Sequence, residues 1–326
     1  MWGKGRGTMF NHILVPLDGS SLAECVLPHT VAIAQAFKAQ STLLRVLERS
    51  TTTGRLKSVD PLEWQMVKAE LNAYLNGVTA RLQEVGIEAE NTLLEGQAAE
   101  RVVQFAQSHD VKLIILSSHG RSGLSGWNVS GVVQKIILRA YIPTMIVRAY
   151  RPTLKELTGL RYRRLLVPLD CSQRAESVLP IAATLARHHE SQLVLAHIVP
   201  KPEMPRRAPP SREDIDLANK LTERNRQEAT RYLKQLKSRL SLDARNVLIV
   251  SDNVAASLHE LVEREEIDLV LLSAHGYSGG AKWPYGSVTI SFIAYGTTPL
   301  LILQDLPPDE VEPTLAEVAS REHKGH

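Results

Sequence analysis

Long apolar runs are missing from this 326-residue chain; none approaches the roughly 18 residues that a membrane span needs, so no membrane association is expected. Cysteine is nearly missing as well. The two present, Cys25 and Cys171, give no disulfide framework and suit a reducing compartment. Charge of one sign is also missing: 38 Lys and Arg against 35 Asp and Glu leave a net +3. No basic run alternates with aromatics, so nucleic acid is not an expected partner. The P-loop pattern G-x-x-x-x-G-K-[ST] does not occur, which excludes a Walker-type phosphate site. The start, MWGKGRGTMF, is basic but has no apolar h-region behind it; a disordered extension rather than a secretory leader is expected. These absences point to a cytoplasmic protein.

What is present is a globular composition, 44% hydrophobic and 22% charged, in a length that suits two domains of about 150 residues. The chain contains one pattern twice. Ile13 to Pro28 (ILVPLDGSSLAECVLP) matches Leu165 to Pro180 (LLVPLDCSQRAESVLP) at an offset of 152 residues. Val111 to Val132 (VKLIILSSHGRSGLSGWNVSGV) matches the stretch from Ile267 to Val288 at an offset of 156. In that second copy a buried-strand run, Asp268 to Ser273, empties into a loop of small residues ending at Gly286-Ser287. Ser287 is expected to N-cap a helix over Val288 to Ala294. Strand, small-residue loop and helix start together make an anion cradle, because glycines let backbone N–H groups approach and the helix adds unsatisfied donors. A βα turn with a few glycines and no ligand is the plainer alternative.

Each copy reads βαβαβαβαβ, so the fold class is α/β: two tandem doubly wound, five-stranded parallel-sheet domains of the Rossmann-like kind. The boundaries are 10–148 for the first domain, 149–161 for a linker, 162–304 for the second domain and 305–326 for a tail; the arginine-rich stretch from Arg148 to Arg164 that joins the copies is expected to be solvated. A helix is expected from Ser20 to about Phe37, kinked by the interior Pro28, with Pro180 repeating the feature. A long amphipathic helix is expected over Arg212 to Leu240, with Ile215, Ala218, Leu221, Ala229, Leu233, Leu236 and Leu240 on its apolar face. Pro200 to Pro210 holds five prolines and should not be regular. The likeness between copies concentrates at two strand ends, Pro-Leu-Asp after the first strand and Ser-x-His-Gly after the fourth. If those strands are neighbours, aspartate and glycine loop face each other across the crevice where such sheets bind ligands.

These residues closely resemble the universal stress protein family, in a tandem form spanning nearly all of both copies; its fold is of the adenine nucleotide alpha hydrolase-like type. Nucleotide-binding members carry Gly-x-x-Gly, nine residues, then Gly-Ser or Gly-Thr. The second copy has Ser273-Ala-His-Gly276, nine residues, then Gly286-Ser287; the first has Ser117-Ser-His-Gly120, nine residues, then Ser130-Gly131. The resemblance implies an adenine nucleotide, ATP or another, with Mg2+ as an accompanying ion. It places Pro168, Leu169 and Asp170 beside the adenosine and Ile198 against adenine. Ser273, His275, Gly276, Tyr277, Gly279, Gly286, Ser287 and Val288 form the phosphate loop, with Gly276, Gly286, Ser287 and Val288 holding phosphates. The first copy offers a weaker set: Pro16, Asp18, Val46, Ser117, Gly120, Arg121, Gly123 and Ser130. Against this, the aspartates can be simple helix caps, and His119 and His275 can be loop histidines bonded to backbone. Cys171, beside Asp170, is a candidate oxidation sensor.

The loop offers one lysine, Lys282, and no acidic metal ligand, whereas phosphoryl transfer needs metal ligands and a positioned nucleophile. The expected function is therefore a nucleotide-binding stress-response regulator and not an efficient enzyme. The alternatives are a slow ATP hydrolase or nucleotide-transfer enzyme on the same fold, and a ligand-free scaffold. As partners the family resemblance implies an intrachain pseudo-dimer through the uncharged fifth strands, Thr144 to Val147 and Leu300 to Leu303, with a homodimer of whole chains as a further state.

Overall fold

Strand and helix alternate through the chain as the apolar pattern predicts. The computed structural model describes residues 9–48, 61–120, 129–149, 156–204, 209–277 and 284–305. The first repeat runs β1 (His12–Pro16), α1 (Ser21–Glu24), α2 (Leu27–Phe37), β2 (Gln40–Leu47), α3 (Pro61–Glu84) and β3 (Ala89–Glu95). It closes with α4 (Ala98–Ser108), β4 (Leu113–Ser117), α5 (Gly131–Ala140) and β5 (Thr144–Val147). The second repeats the order: β6 (Arg164–Pro168), α6 (Gln173–Glu176), α7 (Leu179–His189), β7 (Gln192–Pro200), α8 (Arg212–Leu240) and β8 (Ala244–Ser251). Then follow α9 (Val254–Arg264), β9 (Leu269–Ser273), α10 (Ser287–Tyr295) and β10 (Leu300–Leu303). The described residues form two compact units, one up to Arg161 together with Ile293–Leu301, the other Tyr162–Phe292 with those from Ile302 onward.

Strand order is β3-β2-β1-β4-β5 in the first repeat and β8-β7-β6-β9-β10 in the second. In each, the first strand pairs in parallel with the fourth: Ile13 with Leu113, and Leu165 with Leu269. That pair is where the strand order reverses, which opens a crevice beyond the carboxyl ends of the strands. Both fourth strands, LIILS and LVLLS, are buried along their whole length. Helices on both faces of a parallel sheet require such continuous apolar runs. Each buried Leu or Ile contributes about 1.5–3 kcal/mol relative to exposure.

Two expectations are corrected by local physics. No single kinked helix spans Ser20 to Phe37; the helix is divided into α1 and α2, and Pro28 lies in the first turn of α2. Proline has no N–H to reach back to the Glu24 carbonyl, so the hydrogen-bond ladder is interrupted there. Pro180 divides α6 from α7 in the same way. In α8 only Ala229, Leu233, Leu236 and Leu240 are buried, whereas Ile215 and Leu221 are exposed. Its N-terminal half, started by a Ser211–Asp214 capping box, runs beyond the apolar cover that the sheet provides.

One arginine of the expected solvated stretch is not solvated. Arg148 is 1% exposed, and within the first unit its guanidinium donates to the carbonyls of Ile293 (3.3 Å) and Thr298 (3.5 Å).

Candidate functional site

The crevice of the second repeat is built from the ends of β6 and β9. Beyond Pro168, the Leu169 N–H donates to the Ala196 carbonyl (2.8 Å), which extends the pairing with β7 and brings Asp170 to the edge. Asp170 Oδ1 accepts from the N–H (3.1 Å) and hydroxyl (2.6 Å) of Ser172. Ser172 Oγ in turn accepts from Ala175 N–H and caps α6. The cap is thus the serine, and the aspartate braces it. Its second oxygen, Oδ2, accepts the N–H of Tyr277 (2.5 Å) from the loop after β9. Carboxylate and glycine loop face each other, as the placement of the likeness between repeats predicts.

This closeness explains the glycine of Ser-x-His-Gly. A Cβ on Gly276 would overlap Asp170 Oδ2, and one on Gly120 would overlap Asp18 Oδ2. Asp18 is likewise braced by Ser20, through its N–H (2.9 Å) and hydroxyl (2.6 Å). The serine in the place of the motif's first glycine shapes the turn: Ser273 Oγ donates to the His275 carbonyl (2.6 Å), and Ser117 Oγ to that of His119 (2.6 Å). Ile198 and Val46 lie two residues beyond Ala196 and Leu44, the partners of Pro168 and Pro16. Ile198 is buried and Val46 half-buried.

The cradle itself differs between repeats. Ser287 is the first residue of α10 and not its cap, because Gly286 precedes it; serine suits both places, so its chemistry could not fix the register. Gly286 N–H donates to the Ala274 carbonyl (2.8 Å), and its own carbonyl accepts the first intrahelical bond, from Ile290 (2.9 Å). The N–H groups of Ser287, Val288 and Thr289 therefore have no acceptor within the helix. In α5, Ser130 holds the place of Gly286, and its hydroxyl accepts from Val133 N–H (3.4 Å). The first repeat satisfies with its own side chain a donor that in the second has no acceptor within the helix. Arg121, Gly123 and Gly279 lie outside the described residues, as do Trp127, Lys282 and Trp283.

The two loop histidines are held differently, and here the sequence reading missed a residue. His275 Nδ1 lies 2.6 Å from Asp305 Oδ2, and its backbone N–H donates to Asp305 Oδ1 (3.0 Å). Asp305, placed at the start of the tail by the sequence, reaches back into the site. His119 Nδ1 meets instead the hydroxyl of Ser118 (3.1 Å). The repeats carry Ser118 with Ala149 in one and Ala274 with Asp305 in the other; that paired mismatch is the signal that could have revealed Asp305.

Cys171 has φ +67°, in the left-handed region, and its Sγ is 3.9 Å from His197 Nδ1. Partial burial, then the charges of Asp170, Glu176 and Glu228, push its thiol up to about 11. Almost no thiolate exists at neutral pH, which argues against a reactive sensor.

A model of the universal stress protein family matches residues 9–148 and 161–304. A universal stress protein of Methanocaldococcus jannaschii is 27% identical over 146 residues, 43% of this chain and 83% of the relative. One from Bacillus subtilis is 29% identical over 149 residues, 43% of this chain and all of the relative. Among solved structures, a universal stress protein from Archaeoglobus fulgidus aligns over 90% of this chain and 98% of its own, with TM-score 0.65 at 15% identity. A functionally unknown protein from Pseudomonas aeruginosa aligns over 92% of this chain and 95% of its own, with TM-score 0.66 at 13% identity. At such identities the two structures speak for the fold alone. Among the described residues no helix is long and apolar enough to cross a membrane.

Proposed function

Because the chain belongs to the universal stress protein family, we propose that it is an adenine-nucleotide-binding regulator of the stress response, with its principal site in the second repeat. The observation that carries this reading is the hydrogen bond from Tyr277 N–H to Asp170 Oδ2. It ties the strand end that would meet a ribose to the loop that leads to α10. Each carboxylate oxygen has two lone pairs, so Asp170 can still accept from a ribose hydroxyl. The N–H groups at the start of α10 would take the phosphates, and Gly286 keeps a side chain out of their way. We take 10–148 and 162–304 as the two domains, 149–161 as their linker, and the cytoplasm as their compartment. The tandem form is consistent with an intrachain pseudo-dimer, and sedimentation of the whole chain tests for a further homodimer.

ATP should raise the melting temperature of the full chain, with ADP and AMP giving smaller shifts as phosphates are lost, and added Mg2+ showing whether the ion matters. Gly276→Ala should remove the response. A chain that melts identically with and without all three nucleotides would overturn the binding reading. Hydrolysis should run well below the ~1 per second of ordinary enzymes. Turnover of several per second, lost in His275→Ala, would make the protein an enzyme instead.

A further inference from the structure

The helices that follow the two glycine loops are fixed at their starts by different bonds. The geometry points to Thr289 as the positioning residue of the second repeat's phosphate cradle: its hydroxyl ties the start of α10 to the end of β9 and uses no helix N–H group in doing so. This deepens the proposed function and rests on it.

Thr289 lies in the first turn of α10 and is 3% exposed. Its Oγ1 donates to the carbonyl of Ser273 (2.9 Å), the last residue of β9. A threonine inside a helix commonly returns its hydroxyl to the carbonyl four residues earlier. Thr30, Thr79, Thr184, Thr222 and Thr230 all do this, at 2.7–3.0 Å. Thr289 instead reaches across 16 residues, from helix to strand. The bond is therefore tertiary, and it sets where the helix begins. Gly286 adds a backbone tie beside it, from its N–H to the Ala274 carbonyl (2.8 Å). Ser273 also fixes the outgoing side of the loop, through its hydroxyl on the His275 carbonyl (2.6 Å). One residue at the strand end thus anchors both feet of the cradle.

The first repeat keeps the backbone tie, from Ser130 N–H to the Ser118 carbonyl (2.8 Å). It cannot keep the other, because Val133 stands where Thr289 does. The start of α5 is held instead by the Ser130 hydroxyl, which accepts from Val133 N–H (3.4 Å). Each repeat uses a hydroxyl at this point, but with opposite polarity. The serine accepts and so occupies a helix donor. The threonine donates to a strand carbonyl, and the N–H groups of Ser287, Val288 and Thr289 stay without an acceptor within the helix. Gly286 alone would leave the helix start loosely held, since glycine restricts its backbone least. A donor set already in place spares a ligand the cost of ordering it.

The test is calorimetric titration of the full chain with ATP and with adenosine, which carries no phosphate. Thr289→Val should weaken ATP binding at the tight site about fivefold, the worth of one net hydrogen bond. Adenosine should bind that variant as it binds the wild type, because only the phosphate end has lost its support. Thr289→Ser keeps the hydroxyl and should recover most of the ATP affinity, which a purely steric role of the side chain would not produce. Val133 shows that the same place in the fold accepts valine; should Thr289→Val nonetheless melt below the assay temperature, Thr289→Ala carries the same expectation. Unchanged ATP affinity without the hydroxyl, an equal loss for adenosine, or no recovery in Thr289→Ser would overturn the positioning role and leave the nucleotide reading intact. No ATP binding by the wild type would overturn both.

Discussion

Equivalent positions in the two repeats need the same backbone but carry different side chains. Gly19 and Cys171 follow the aspartates and sit at φ +77° and +67°. Only glycine reaches that region without penalty; another residue loses roughly 1–2 kcal/mol. A Cβ at Gly19 would also run into the guanidinium of Arg45, which is buried and lies 5.6 Å over the Tyr74 ring. In the second repeat Arg45 becomes His197, which leaves room for the Cys171 side chain. The two positions should therefore respond with opposite signs. Cys171→Gly should stabilise by about 0.5 kcal/mol, the relief of the left-handed conformation less the added freedom of the unfolded chain. Gly19→Ala should destabilise by more than about 1 kcal/mol. Urea melts of the two variants check this, and a loss of stability in Cys171→Gly would show that its contact with His197 outweighs the strain.

At the scale of elements, the prolines give the clearest prediction. An interior helix proline costs about 3 kcal/mol relative to alanine, but one in the first turn costs little. Pro28 lies in the first turn of α2, so Pro28→Ala should change stability by no more than about 1 kcal/mol, toward destabilisation as the unfolded chain gains freedom. A gain of 2 kcal/mol or more in a denaturant melt would mean that Pro28 strains one continuous helix. The same elements show what the sequence makes legible. LIILS and LVLLS read directly as buried strands, because both faces of the sheet demand apolar side chains. Their neighbours β1 and β6 follow from where the copies agree, and so does the meeting of Asp170 with Gly276. The start of α10 was legible only to within one residue, since serine suits both the cap and the first turn. Asp305 was not legible as part of the site. It lies 30 residues beyond His275, and only a register match between distant strand ends brings the two together.

For the molecule as a whole, the two repeats share one topology but should not share one affinity. In the second, Gly286 carries no side chain, and three N–H groups at the start of α10 have no acceptor within the helix. In the first, the Ser130 hydroxyl takes one of the equivalent donors, Val133 N–H, and puts a Cβ where the glycine belongs. Gly131 also lacks the hydroxyl that Ser287 brings to the first turn. Each difference is worth about 1 kcal/mol if it removes one hydrogen bond, and two together weaken binding about thirtyfold. Calorimetry on the full chain should then resolve one tight ATP site and a second roughly thirtyfold weaker. Exchanging the pair, Ser130→Gly with Gly131→Ser, removes the internal cap, which costs the helix a few tenths of a kcal/mol for a serine-to-glycine cap change. That cost is smaller than the expected gain in phosphate contacts, so the weak site should tighten toward the strong one while the strong site stays as it was. Two equal sites in the wild type would show that the cap does not compete with the ligand. An exchanged variant whose weak site fails to tighten would place the asymmetry elsewhere in the loops, which also differ at Arg121 and Tyr277 among other positions.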